Sequence, residues 1–199
     1  MKKLIKIKKN NGMTIIELVV VLSIFAIISG VVIFNYGAFQ AKVDIKNLAS
    51  DIALQVVTAQ KASLSGLLPS QIPTVSPWKP SYGVYFNTTA DNKSFTYFAD
   101  LNDNAQYDGL PCTGGSECVS KITITKNNFI SNLQVFYLNS TSASLNDLTI
   151  TFARPSSGAT FVSNSTTLTN VSYVQITIAS PNGITSLIKL YPSGRVQVN

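Results

Sequence analysis

The spacing of hydrophobic positions changes along this chain, and each change marks an element. From Met13 to Phe34 the chain is almost continuously apolar, with Glu17 as its one charged residue. Those 22 residues, at about 1.5 Å each, make a helix of roughly 33 Å, enough to cross a hydrocarbon core about 30 Å thick. From Asn35 to about Ser65 the pattern becomes amphipathic. Ile45, Leu48, Ala49, Ile52, Ala53, Val56 and Ala59 recur at three- and four-residue steps, with Lys42, Asp44, Lys46, Asp51 and Lys61 on wetter faces. The spacing predicts a helix that continues past the membrane and packs its stripe against the protein's own domain. Gly30 and Gly37 weaken it locally and offer points for a bend or unwinding.

The stretch 67–80 holds Pro69, Pro73, Pro77 and Pro80 and cannot extend that helix, so it reads as a connector. Beyond it the period falls to two. Expected strands are Tyr82–Asn87, Ser94–Asp100, Val119–Thr125, Leu133–Leu138, Leu148–Ala153, Val171–Ala179, Thr185–Tyr191 and Arg195–Val198. Pro181-Asn182-Gly183 and Pro192-Ser193-Gly194 punctuate the last three as turns, which makes the ending a β-meander. The fold class expected is α+β, a long N-terminal helix (transmembrane, then amphipathic) packed on an antiparallel β-sheet head. The expected divisions are 1–12, 13–36, 37–66, 67–80 and 81–199.

Charge sets the orientation. Lys2, Lys3, Lys6, Lys8 and Lys9 precede the apolar run without an acid, so the positive-inside rule holds the N-terminus in the cytoplasm and sends the head outward. The net charge of +6 resides mostly in these five lysines, since the remainder carries ten Lys and Arg against nine Asp and Glu. General nucleic-acid binding thus has no support from charge. The 12% charged fraction with abundant Ser, Thr and Asn suits an extracellular β-rich surface. An ordinary cleaved signal peptide is disfavoured, because the apolar run is too long and no Ala-x-Ala site follows it.

Candidate chemistry is sparse. The chain has no histidine, which removes the usual general base and zinc ligand, and it shows no nucleophile elbow, phosphate loop or dinucleotide fingerprint. No enzymatic activity and no small-molecule substrate are expected. Asp100, Asn102, Asn104 and Asp108 place oxygens at alternate positions as a Ca²⁺ loop would, yet the sixth position is Ala105 and the twelfth is Pro111. A structural Asx-turn loop is the competing reading, and no other cofactor is expected. Cys112 and Cys118, close together in an exported segment, favour a disulfide; a free or metal-binding pair is the alternative, with Glu117 the one further ligand nearby. Glu17 is the anomaly of the span. A carboxylate within a membrane helix costs on the order of 3 kcal/mol on insertion scales, and proximity to the positive helix start explains tolerance without supplying a need.

The junction Asn10-Asn11-Gly12-Met13-Thr14-Ile15-Ile16-Glu17, followed by the apolar run, resembles the class III signal of type IV pilins and type II secretion pseudopilins. The resemblance covers about a sixth of the chain. It implies that a membrane prepilin peptidase cuts after Gly12 and methylates the new amine at Met13, and that Glu17, then fifth, takes part in assembly. Other pseudopilins or pilins and an inner-membrane assembly platform are the implied partners, with membrane lipid around the helix. The protein would rest in the cytoplasmic membrane as a single-pass subunit and move into a periplasmic pseudopilus or surface pilus.

The C-terminal pattern, Val174–Ile178, Gly183, Leu187–Leu190 and Gly194-Arg195-Val196, is similar to the hairpins of H-type minor pseudopilins, which also carry an Asp-x-Asn-rich hairpin. Many major pilins have a proline in the hydrophobic half; none occurs here, which slightly disfavours a major fibre subunit. The expected role is a minor pseudopilin of a type II secretion pseudopilus. A type IV pilin for adhesion, motility or DNA uptake is the alternative, nucleic acid becoming a partner in that last case. A membrane-anchored binding module that never polymerises is the rival of a different class.

Overall fold

The computed structural model describes residues 12–69, 79–109, 111–113 and 116–199, and the side chains of all of these but 34 and 35. The expected leader, apart from Gly12, and most of the connector 67–80 lie outside the described residues. Contacts divide the chain into two units, Met1–Gln40 and Ala41–Asn199. The helix α1, Ile15–Ser65, contributes to both.

Within the first unit α1 is the one helix among the described residues that is long and apolar enough to cross a membrane, with a mean hydropathy of 2.8 in its richest window. None of that window is buried, and Ile15, Phe25, Ile27 and Ile33 are all exposed. A helix apolar on every side has no seam to fold against within its own chain, so its solvent must be lipid or other helices.

In the second unit α1 behaves as an ordinary core helix. Ile45, Ala49, Ile52, Val56, Ala59 and Ala62 are buried in one stripe, while Leu54 and Lys61 face out. Gly66 ends the helix with φ 62°, its N–H bonding Ser63 O at 3.0 Å and that of Leu67 bonding Ala62 O at 3.1 Å. This is the Schellman closure, which satisfies two of the orphaned carbonyls of the last turn.

Among the described residues, eleven strands form two antiparallel sheets instead of one. They are β1 (Ser81–Asn87), β2 (Asp91–Asp100), β3 (Cys118–Thr123), β4 (Phe129–Tyr137), β5 (Ser142–Leu145), β6 (Asp147–Phe152), β7 (Ala159–Ser163), β8 (Thr166–Thr167), β9 (Val171–Ala179), β10 (Thr185–Leu190) and β11 (Val196–Val198). Sheet A runs β3-β2-β1-β6-β7-β8 and sheet B runs β11-β10-β9-β4-β5. The meander expected at the C-terminus is present as β9-β10-β11. Arg195 itself lies in the last turn, where its carbonyl accepts from Tyr191 N, so β11 starts one residue later than the alternation suggested.

One core serves all three layers. The helix stripe meets Tyr82, Val84, Phe86, Leu148, Ile150 and Phe152 of sheet A, and Leu133, Val135, Val174, Ile176, Ile178 and Ile188 of sheet B, in one continuous cluster. Polar bonds pin the helix at both ends of this half. Lys126 pairs with Asp44 at 2.6 Å, Gln60 donates to Ser157 O at 2.7 Å, and the buried Ser63 hydroxyl donates to Phe152 O at 2.6 Å.

The two sheets treat their outer faces differently. On sheet B the outward residues Gln134, Gln175 and Lys189 keep some access to solvent. On sheet A the outward Phe98, Thr149 and Thr151 are buried, because the segment 101–109 folds back across them. Gly83 makes this possible: its missing side chain leaves room for the Phe98 ring, since a Cβ there would lie 2.6 Å from Phe98 Cε1.

Candidate functional site

At the membrane end, Gly12, Met13 and Thr14 are non-helical and Ile15 is the first helical residue. Thr14 N donates to Glu17 Oε2 at 2.8 Å, the Thr14 hydroxyl donates to the same oxygen at 2.9 Å, and Glu17 N donates to Thr14 Oγ1 at 3.3 Å. Thr-x-x-Glu with reciprocal side-chain-to-backbone bonds is a capping box, which satisfies two otherwise orphaned donors of the first turn. Thr14 is therefore a site residue that hydropathy reasoning passes over, although the Thr14-Ile15-Ile16-Glu17 spacing signals it. The box fixes where the helix begins. Gly12 and Met13 stay outside it as an exposed, non-helical junction, and a Cβ added at Gly12 would meet open space.

In the head, the four oxygen-bearing residues of the 100–108 loop come together, but their oxygens face the loop's own amides. Asp100 accepts from Asn104 N at 3.2 Å and from Ala105 N at 2.8 Å, and Asn102 and Asn104 accept from Asn104 N and Gln106 N. Both Asp108 oxygens accept from side-chain amides, of Asn102 and Asn104, at 2.9 Å. This is Asx-turn geometry. Among the described residues no three His, Cys, Asp or Glu side chains gather in a metal-holding group. Ala105, at the position where a calcium loop has glycine, takes φ 60° and is held on both sides, its N–H by Asp100 and its carbonyl by the Thr151 hydroxyl at 2.8 Å.

Glu117 closes the loop. The residue is 4% exposed, and its carboxylate accepts from Leu101 N at 3.1 Å and Asp108 N at 3.0 Å, tying the two ends of the segment together. Burial pushes its pKa up, and the neighbouring Asp108 and Asp100 add to the rise against the two amide bonds that oppose it. Burial likewise raises Asp100, in spite of its backbone donors. Next to Glu117, Cys118 is joined to Cys112 by a disulfide, which fastens the outgoing chain to the start of β3. The Tyr107 ring, lying between Phe98 at 5.5 Å and Tyr85 at 5.2 Å, seats the lid on the sheet. The sequence carried a faint sign of Glu117 as a ligand neighbour, but its true partners are 9 and 16 residues away and are backbone groups, which no side-chain motif records.

Residues 7–33 match the prokaryotic N-terminal methylation motif, a span that includes Gly12, Met13, Thr14 and Glu17. No curated protein and no solved structure matches the chain. The motif is the class III signal and implies the type IV pilin and pseudopilin class without resolving a subtype. It also implies processing by prepilin peptidase, anchoring in the inner membrane beforehand, and assembly with pilins. The fold agrees in kind: a long N-terminal hydrophobic helix whose second half packs against antiparallel sheets is a pilin-like α+β arrangement.

Proposed function

We propose that this chain is a structural subunit, a minor pseudopilin of a type II secretion pseudopilus, cut after Gly12, methylated at Met13 and assembled through the exposed half of α1. The observation that carries the reading is the methylation motif at 7–33 set directly on a helix that is apolar on all sides. Such a helix is stable in lipid before assembly and among identical or related helices after it, so transfer between the two exchanges one apolar environment for another at little cost in desolvation. The absence of proline in this half and the three-stranded C-terminal meander favour the minor-subunit form over a major fibre pilin.

Assembly then turns on the charges. Cleavage creates an ammonium at Met13 one residue before the cap. In a bundle that excludes water, that ammonium and the Glu17 carboxylate of a neighbouring subunit are each costly alone and tolerable together. Glu17 starts from the Thr14 cap, so docking trades a local partner for an external one and fixes the axial register.

Processing is tested by intact mass after co-expression with a matched prepilin peptidase. The mature chain is expected to start at Met13 with a methylated amine, and Gly12→Val is expected to stay full length. An unchanged full-length mass for both proteins would overturn the reading in favour of an anchored module that keeps its lysine leader.

A further inference from the structure

The turn between β4 and β5 presents an asparagine amide that the fold does not use. The sequence holds five Asn-x-Ser/Thr triplets, beginning at Asn87, Asn92, Asn139, Asn164 and Asn170. Such a triplet, with any middle residue but proline, is the acceptor pattern for attachment of sugar to asparagine in exported proteins. In a chain this rich in Asn, Ser and Thr the pattern recurs by chance, so geometry has to choose among the five.

Four of them are spent within the fold. Asn87 is half-buried and donates its Nδ2 to the Tyr85 hydroxyl at 2.8 Å. Asn92 and its third residue, Ser94, lie within β2, where Ser94 is buried with its hydroxyl on Asp91 Oδ2 at 2.6 Å. Thr166, the third residue after Asn164, is paired to β7 and directs its hydroxyl to the backbone carbonyl of Asn164 at 3.4 Å. Ser172, the third residue after Asn170, is already inside β9.

Asn139 differs on each count. Asn139, Ser140 and Thr141 are all exposed at the tip of the hairpin. Thr141 N donates to Asn139 Oδ1 at 3.1 Å, and the Thr141 hydroxyl donates to the same oxygen at 2.6 Å. The backbone N–H can bond only an acceptor, which fixes the oxygen end of the carboxamide against Thr141 and leaves the nitrogen end outward. Among the described residues no hydrogen bond occupies that Nδ2. The chain reverses tightly here: Tyr137 N donates to Thr141 O at 2.9 Å, Ser140 N donates to Tyr137 O at 3.1 Å, and Ser140 takes φ 65°. The reversal sets the residues two before and two after Asn139 side by side. Tyr137, Asn139 and Thr141 together line an open cleft of about 420 Å³ with Leu138, Thr169 and Asn170, and Leu138 is 71% exposed. A sugar joined to Nδ2 would set its C–H face over Tyr137 and Leu138 and its hydroxyls beside the two threonines.

We propose that Asn139 is an N-glycosylation site, modified after export by a membrane oligosaccharyltransferase that uses an oligosaccharide carried on a lipid pyrophosphate. In the transfer, Asn139 Nδ2 bonds to the anomeric carbon of the donor sugar and gives up one proton to a base of the transferase. The bond from that carbon to the pyrophosphate oxygen breaks, and the lipid pyrophosphate leaves with the electron pair. Nothing is oxidised or reduced. Anchoring through α1 keeps the head at the bilayer that carries such donors. The inference needs an exported head, and it holds for a pseudopilin, a pilin or an anchored module alike.

The test is mass spectrometry of the full chain recovered from the envelope of its own host, by intact mass and then by electron-transfer fragmentation of its peptides. The wild-type chain is expected to carry a mass excess of whole sugar residues located on Asn139. Asn139→Gln and Thr141→Ala are expected to lose it, whereas Thr141→Ser, which keeps the hydroxyl, is expected to retain it. Asn87→Gln and Asn164→Gln are expected to leave it unchanged. The proposal is overturned by an unmodified Asn139 peptide, which would make this a structural Asx turn only. Sugar that persists in Thr141→Ala, or that sits on one of the other four asparagines in place of Asn139, overturns it equally.

Discussion

Glu117→Ala offers a direct measure of how much one buried carboxylate contributes to the head. In the folded protein that side chain accepts two backbone bonds, from Leu101 N and Asp108 N, and is almost wholly removed from solvent. Hydrogen bonds to a charged group contribute about 1.5–3 kcal/mol each, which sets an upper value of about 3–6 kcal/mol for the pair. Against this, the substitution also removes a charge that burial and the nearby Asp108 and Asp100 disfavour, as the raised pKa shows. The two freed amides can also recruit water once the lid loosens. A net loss of about 2–3 kcal/mol remains, and for a domain of this size that lowers Tm by about 5–10 °C. Glu117→Gln keeps one acceptor and should lose about half as much. Calorimetry on the full chain in detergent gives the Tm. Hydrogen exchange should show faster exchange at Leu101 and Asp108 and little change in β9 or β10. A Tm within about 1 °C of wild type, together with unchanged exchange at those two amides, would refute the clamp.

Three further outcomes follow from the geometry. Glu17→Leu should leave membrane insertion and cleavage after Gly12 intact but reduce recovery in sheared filament fractions relative to membrane fractions; equal recovery would mean the carboxylate serves the Thr14 cap alone. Gly83→Ala should destabilise by about 3 kcal/mol or more, because its Cβ would lie 2.5 Å from Ile150 O and 2.6 Å from the Phe98 ring, whereas Gly183→Ala, with open space and φ 77°, should cost about 1 kcal/mol by denaturant titration. Asp91, held by Lys121 and Ser94, has its pKa lowered from 3.8 to about 2, so its contribution is complete above 3.8 and is lost as pH falls through about 2; the Asp91→Asn protein should show a flatter acid-unfolding curve in that window by circular dichroism.

Legibility from sequence followed the physics of each element. The stripe Ile45, Ala49, Ile52, Val56 and Ala59 could be read because one helix face meets one core. The final meander could be read because its turns carry glycine and each strand has one wet face. In β1 and β2 the alternation is present in the chemistry but not in the burial, since the lid covers the outward side, and nothing local announces a lid. β5 (Ser142–Leu145) was missed because it is an exposed edge rich in serine, held by its ladder to β4 instead of by a buried face. β7 and β8 are five and two residues long, too short for a period to show. The division into two sheets depends on which strands pair at long range, as β4 does with β9 from Tyr137↔Val171 to Phe129↔Ala179, and no window of sequence contains that information. At the candidate site, the methylation-motif junction was legible from its spacing, while the Glu117 clamp rests on backbone amides 9 and 16 residues away and was not.

The order in which the chain visits its two sheets bears on how the head can form after export. It lays down β1–β3 in sheet A, β4 and β5 in sheet B, β6–β8 back in sheet A, and β9–β11 back in sheet B. The closing pairs, β1 with β6 and β4 with β9, therefore overlap in sequence like links of a chain. If the head emerges from the membrane starting at its helix-proximal end, sheet A cannot be completed until β8 has been delivered, nor sheet B until β11. The early hairpins must wait with their long-range edges open, the slow and aggregation-exposed situation of non-local pairing. A head truncated after β8 would be left with sheet A whole and sheet B reduced to β4 and β5, exposing apolar residues such as Leu133 and Val135. Stalled translocation should thus yield a protease-sensitive or aggregated species in place of a stable half-domain.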